Sequence, residues 1–391
     1  METFGIINVR NAFLSILSDW LTKNTTIKRL GVGMISDCLK IVVTSSVALT
    51  AGLLCESIGA PAPYLMGSLF GVWVVGGLLP VMQRYLGIAR WFHVPVVMGL
   101  STLIGTSFNP ELVTRIDGWA ITLCVMLITT AIATMVGMIW LVRFRRYPVT
   151  EAFLGSVPGG QAEIVMIARE HTNKDYVVAL FHLVRVVLVF CSTPLLLAAT
   201  QGQLAVTHSN VVLHQMTSLL SLPVSVLLMF ALTAFGGYLF ARLLRLPMPH
   251  LLGPLCLSLV LHITGVLDIP RISEFVILAQ VAIGGAIGAR LAKVPFRELF
   301  VYIVDAVVTA VILLVVYAVV TLLLNAVFGF DLLKLWLAFV PGGLYEVTLL
   351  ALLFGFDVAF VAVHHTIRIM FIILSLPLVI STLKQLTRPK G

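Results

Sequence analysis

The sequence predicts an all-α polytopic membrane protein, built as two inverted repeats of about five transmembrane helices. Each repeat is expected to carry one Pro-Gly-Gly re-entrant hairpin. Three observations lead there. The 391 residues are 60% hydrophobic and 11% charged, with a mean hydropathy of +1.08, where a soluble domain has about a quarter of its residues charged. Several apolar runs reach the ~20 residues that cross a bilayer. Finally, residues 157–163 read VPGGQAE and residues 340–346 read VPGGLYE. Each is followed at equal distance by a His and an Arg, His182 and Arg185 or His365 and Arg368, so that the copies lie 183 positions apart.

The elements follow in order. Residues 1–40 form a cytoplasmic N-terminal extension in which 11–22 can make an amphipathic helix on the membrane surface. The first membrane repeat covers 41–200. Its spans are 41–58, a helix opening at Pro61-Ala62-Pro63, 92–107, 118–142 and 176–199, with the Pro-Gly-Gly hairpin at 150–169. Proline suits a first helical turn, and glycine permits close helix contact. A polar linker at 201–221 leads to the second repeat, 222–385, with spans at 222–244, after Pro247-Met248-Pro249, and at 274–291, 302–328 and 358–381. Its hairpin is 334–355, and 386–391 is a cytoplasmic tail. The five cysteines have no metal or redox spacing and read as small buried residues.

Basic residues set the orientation. With the N-terminus cytoplasmic and each Pro-Gly-Gly segment entering and leaving on one side, 20 of the 25 Lys and Arg fall inside. Arg115, Arg271 and Lys334 fall outside, and Arg185 and Arg368 lie in spans. A full crossing at each hairpin would move Arg242, Arg245 and Arg290 to Arg297 outside, against the positive-inside rule. Five crossings per half invert the second half, so both termini are cytoplasmic and the hairpin tips meet near the midplane, as in many secondary transporters. The net charge of +8 thus reflects orientation and points to no nucleic-acid partner.

The candidate site is built from the tips. Pro158, Gly159, Gly160 and Gln161, with Pro341, Gly342, Gly343 and Tyr345, free backbone groups at two helix starts that suit an anion. Glu163 and Glu346 lie on those first turns; they either cap amides or carry coupling charge. His182 and Arg185 share one helix face, as do His365 and Arg368. The arginines are expected to pair with Glu163 and Glu346, to bind substrate, or to do both in competition. The histidines are packing groups or take part in coupling. Tyr64 and His250 correspond between the repeats and can face the site, and Asp305 is expected to pair locally or to reach the membrane interface. No phosphate-binding loop, metal-ligand spacing or nucleophile elbow stands in the sequence, so no cofactor and no enzymatic activity are expected.

The stretches APAPYLMGSLFG, SVPGGQAEIVMIA and FHLVRVVLV, repeated as PMPHLLGPLCLSL, FVPGGLYEVTLLA and VHHTIRIMFI, resemble the AbrB family of bacterial inner-membrane proteins. The resemblance covers roughly 40–385 and implies a multi-pass protein of the bacterial cytoplasmic membrane. Members are labelled regulators or ammonia monooxygenases, and the family shares its name with a small soluble DNA-binding protein that this chain does not resemble. The residues themselves point to a secondary active transporter of a small solute, an anion, coupled to protons or sodium. Its partners would be a small-molecule or ion substrate, lipid and a second copy of the chain, in an elevator homodimer. The architecture is similar to citrate-type transporters. A non-transporting membrane sensor that alters gene expression indirectly is the alternative, and a membrane oxidoreductase the third.

Overall fold

The computed structural model describes residues 34–108, 110, 118–202 and 211–386, except for the side chains of Ala162, Glu163, Lys384 and Leu386. The 11–22 segment, Arg10, Lys23, Lys28, Arg29, Arg115, Arg388, Lys390, linker residues 203–210 and the Glu163 side chain lie outside that description.

Fourteen α-helices are named among the described residues, in two runs of seven. The first run is α1 (Met34–Ser57), α2 (Pro63–Leu78), α3 (Arg90–Gly105), α4 (Trp119–Arg145), α5 (Val149–Ser156), α6 (Gln161–His171) and α7 (Asp175–Gln201). The second is α8 (Val224–Leu243), α9 (Pro249–Ile263), α10 (Ser273–Ala292), α11 (Phe296–Phe328), α12 (Leu332–Phe339), α13 (Leu344–Leu353) and α14 (Val358–Leu386). The duplication read from two short motifs therefore extends to every helix. Helices α1, α4, α7, α8, α10, α11 and α14 are long and apolar enough to cross a membrane. At 15 or 16 residues, α2, α3 and α9 fall short of a straight crossing. The chain is a helical membrane protein.

Proline and glycine set the breaks. Ala62 and Met248, each between two prolines, have φ of 44° and 48° and start α2 and α9. That is a left-handed conformation rare for residues with a Cβ. Gly67 and Gly253 then let these helices seat on their predecessors. A Cβ on Gly67 would meet the Ala51 carbonyl oxygen at 2.5 Å; one on Gly253 would meet the Gly237 carbonyl carbon at 2.7 Å.

Packing does not follow the repeats. Helices α2 and α3 pack with α8, α9 and α10, from both halves, and α1 joins them through Gly67, Gly71 and Gly285. The last four helices of each half, α4–α7 and α11–α14, form a second group. The principal packing between the groups runs through α3, which touches α13 and α14.

The cysteine expectation is corrected. Cys38, Cys124 and Cys256 are exposed and Cys55 and Cys191 half-buried, all as free thiols. A helix in lipid can be apolar on every side, so an apolar run does not say which face is buried.

Replacing Gly67 or Gly253 with Leu is expected to force α2 from α1, or α9 from α8, at a cost of about 1–3 kcal/mol or more. A lower thermal midpoint of the detergent-purified protein would register it. Gly77, where an added Cβ meets nothing within 4 Å, serves as the control and should tolerate Ala.

Candidate functional site

Helices α5, α6, α12 and α13 have 8, 11, 8 and 10 residues. At ~1.5 Å per residue none reaches across ~30 Å of hydrocarbon. Each pair is tied at its open end. Thr172, just after α6, donates its hydroxyl to Glu151 in the first turn of α5 (2.6 Å). Lys334 in the first turn of α12 donates to Asp357, just before α14 (2.7 Å), and Asp331 caps α12 through the Lys334 amide (2.6 Å).

These open ends lie against opposite ends of α11. Lys174 meets the Tyr302 hydroxyl (3.3 Å) near the start of that helix. Close by, buried Asp305 pairs with Arg145 (2.5 Å) and accepts from Tyr147 (2.9 Å). Asp305 thus pairs across helices, where a local partner or an interfacial position was expected. Lys334 follows the far end of α11, which stops at Phe328. The 26 residue steps of helix from Tyr302 to Phe328 rise roughly 39 Å.

Breaking a helix leaves its last carbonyls without intrahelical partners. The buried His-Arg pairs supply them. His182 Nε2 donates to the Leu154 carbonyl (3.0 Å), and Arg185 donates to the carbonyls of Val157 (2.6 Å) and Gly155. In the second copy His365 Nε2 donates to Leu337 (2.9 Å). Arg368 donates to Phe339, Val340 and Gly342 (2.9 Å each) and to His365 Nδ1 (2.8 Å). Because that Nδ1 accepts, the His365 proton sits on Nε2. A guanidinium there also faces the negative end of a helix dipole. For Arg368 the expected pairing with Glu346 gives way to this arrangement: its described bonds go to backbone, to imidazole and to the Tyr317 hydroxyl, and none to Glu346. The reason is local, since the broken helix offers carbonyls at closer range than the carboxylate.

The tips cross between repeats. A Cβ on Gly159 would lie 3.5 Å from Ile369 and 3.9 Å from Arg368 Nε, both in α14, while one on Gly342 would lie 3.2 Å from Val189 in α7. Tyr317, midway along α11 and fully buried, is an electrostatic neighbour of both arginines and bonds Thr130 (2.9 Å). Both guanidiniums keep their Nε–H buried and without a partner. Pro158 and Pro341 are buried, and Gln161 and Tyr345 half-buried, at the starts of α6 and α13.

The tips differ in backbone. Gly159 and Gly160 have φ of 102° and 59°, left-handed values that favour glycine. Gly343 has φ −76° and leaves room for the Glu346 carboxylate, which folds back over it and which a Cβ there would displace. That is the N-terminal capping posture. Glu346 is 5% exposed, takes a hydrogen bond from Tyr345, and leaves Oε2 without a partner.

Other candidates lie apart or were missed. Tyr64 donates to Glu56 (2.7 Å), which His214 also meets (3.2 Å), so it serves α1 and the linker. His250 neighbours His93 and Arg90. His93 sets its ring edge-on to Tyr345, 6.2 Å between centroids; a lone imidazole two residues before Pro95 carried no sequence signal. His364 bonds Thr122 (2.9 Å). Buried Gln280 accepts from the Leu65 amide (3.1 Å). Among the described residues no three His, Cys, Asp or Glu side chains gather as a metal site would need.

Arg368→Ala should strip three buried carbonyls of their donor and cost roughly 3 kcal/mol or more. Arg368→Lys should recover only part, since an ammonium cannot match the planar fork. A thermal midpoint lowered in the ligand-free protein checks the role; an unchanged midpoint would make Arg368 a ligand-binding group instead.

The family described as "Transition state regulatory protein AbrB" matches residues 69–384. A protein of Bacillus subtilis (strain 168), "Uncharacterized protein YhjN", is 26% identical over 298 residues, 74% of this chain and 77% of the relative. "Putative regulator AbrB" of Escherichia coli (strain K12) is 25% identical over 333 residues, 83% of this chain and 94% of the relative. With duplicated helices and a match over most of its length, the chain belongs to the AbrB family.

Proposed function

We propose that the chain is a secondary active transporter of a small anionic solute, coupled to protons or sodium. It sits in the bacterial cytoplasmic membrane with both termini cytoplasmic. The two halves are inverted repeats of five crossings, and α5–α6 and α12–α13 are re-entrant hairpins. The observation that carries the reading is the pair of short-helix hairpins, closed at opposite ends of α11, with tips set against the crossing arginines. Non-helical backbone at that depth is tolerated only where protein or a water-filled cavity covers it.

An anion fits the donors that remain. The unpartnered Nε–H groups of Arg185 and Arg368 and the first-turn amides of α6 and α13 surround the tips, and two cations stand behind them. Gln161 and Tyr345 give the tips unlike side chains and hence selectivity. Glu346 carries coupling charge, and Glu163 is its counterpart in the first half. The division into two helix groups joined mainly through α3 supports an elevator motion of α4–α7 with α11–α14, in a homodimer held by the other group. A second reading, a membrane sensor acting indirectly on gene expression, draws on the printed name of the E. coli relative.

Uptake into proteoliposomes under imposed proton or sodium gradients, across a panel of organic acids, amino acids and inorganic anions, separates the two. Gradient-driven flux of one compound, reduced at least about tenfold in Glu346→Gln, is expected. Binding without flux would favour the sensor. In a background lacking the native cysteines, Lys174→Cys and Lys334→Cys should label from opposite membrane faces; labelling from one face would sink the inverted topology.

A further inference from the structure

The second tip has surroundings without a counterpart at the first. Val276 stands in the repeat position of His93. The α13 start packs on α3, a helix of the other group. Two buried polar atoms there lack partners, Glu346 Oε2 and His93 Nδ1. Tyr345 lies between them, with its hydroxyl toward Glu346 and its ring against His93. Arg290, exposed at the end of α10, is the charged neighbour of both Glu346 and His93. His250 also faces His93, and Arg90 faces His250.

We infer that Glu346, Tyr345 and His93 form a proton-binding site at the seam between the two helix groups, with Arg290 setting its occupancy. This rests on the transporter reading and narrows its coupling ion to the proton. The donor set decides between ions. A hard cation needs a shell of oxygen ligands; beside Glu346 stand one phenol, an imidazole and a guanidinium, and the last two relay protons or repel cations. A proton arriving from the side of His250 adds to one nitrogen of His93, and when the ring and the carboxylate come within hydrogen-bond reach the proton on the other nitrogen passes to Glu346 Oε2. No other bond changes. The Arg290 cation favours the carboxylate and so favours release. Because His93 and Glu346 belong to different groups, sliding of one group on the other parts the carrier from its relay. A proton taken up on one side can then leave on the other.

Infrared titration of the purified full-length chain in nanodiscs, in choline buffers, tests this without any solute. A carboxyl band that rises as pH falls should be missing in Glu346→Gln. Arg290→Gln, on an exposed side chain that leaves the fold intact, should move the midpoint of that band up. After a pH jump the band should rise at least about tenfold more slowly in His93→Gln. A midpoint unmoved by Arg290→Gln, a rise unchanged in His93→Gln, or a wild-type midpoint lowered when sodium replaces choline would overturn the proposal, the last by making the site a cation site. Coupled uptake without a Glu346 band would leave the transporter standing and remove the proton site. The band with its shifts, in a protein that moves nothing, would do the reverse.

Discussion

The structure depends on how two broken helices satisfy their backbone. In hydrocarbon a free carbonyl has no water to turn to, and each costs several kcal/mol. The ends of α5 and α12 present such carbonyls, and a buried guanidinium with an adjacent imidazole takes them up in each half. Arg185 and Arg368 are themselves almost fully buried, which a charge tolerates only with dense hydrogen bonding. Each problem answers the other: the cation needs acceptors, and the broken helix needs donors. The His-Arg spacing of three on α7 and α14 follows, because both side chains must reach the same helix end.

That mutual satisfaction explains why the duplication is so regular from α4 to α7 and from α11 to α14. A shift of one residue in the spacing would move the guanidinium from the Val157 or Val340 carbonyl by 100° around its helix. The other group is held by different means, glycine contacts between α1 and α2, α8 and α9, and α2 and α10. The group of α4–α7 and α11–α14 is held mainly by polar bonds to backbone and the other mainly by close helix contact, with Gln280 bonding the Leu65 amide, and the principal packing between them runs through α3.

Much of this was legible in the sequence. The Pro-x-Pro and Pro-Gly-Gly breaks place helix boundaries within a few residues, since proline and glycine act locally. The segments read from the sequence at 150–169 and 334–355 hold pairs of short helices, α5 and α6 over 149–171 and α12 and α13 over 332–353. The partners of the arginines were not legible, because backbone carbonyls carry no sequence identity. Nor was the exposure of Cys38, Cys124 and Cys256, since an all-round apolar helix does not reveal which face meets its neighbours. His93 and Arg290 come to Glu346 only through α3 and α10, long-range packing that the 183-residue repeat does not encode.

The two halves therefore divide the work in a way the repeat alone would hide. The elements that obey the repeat strictly, the His-Arg pairs and the short helices they cap, solve the cost of a broken helix in lipid. The residues that depart from it, Tyr345 where the first repeat has Ala162 and His93 where the second has Val276, collect at one tip. The capping solution is needed at both tips and can be copied. A coupling group need exist only once, provided that it moves between two environments. Chemical asymmetry at the α3–α13 contact, laid over a symmetric backbone, is what such a device requires.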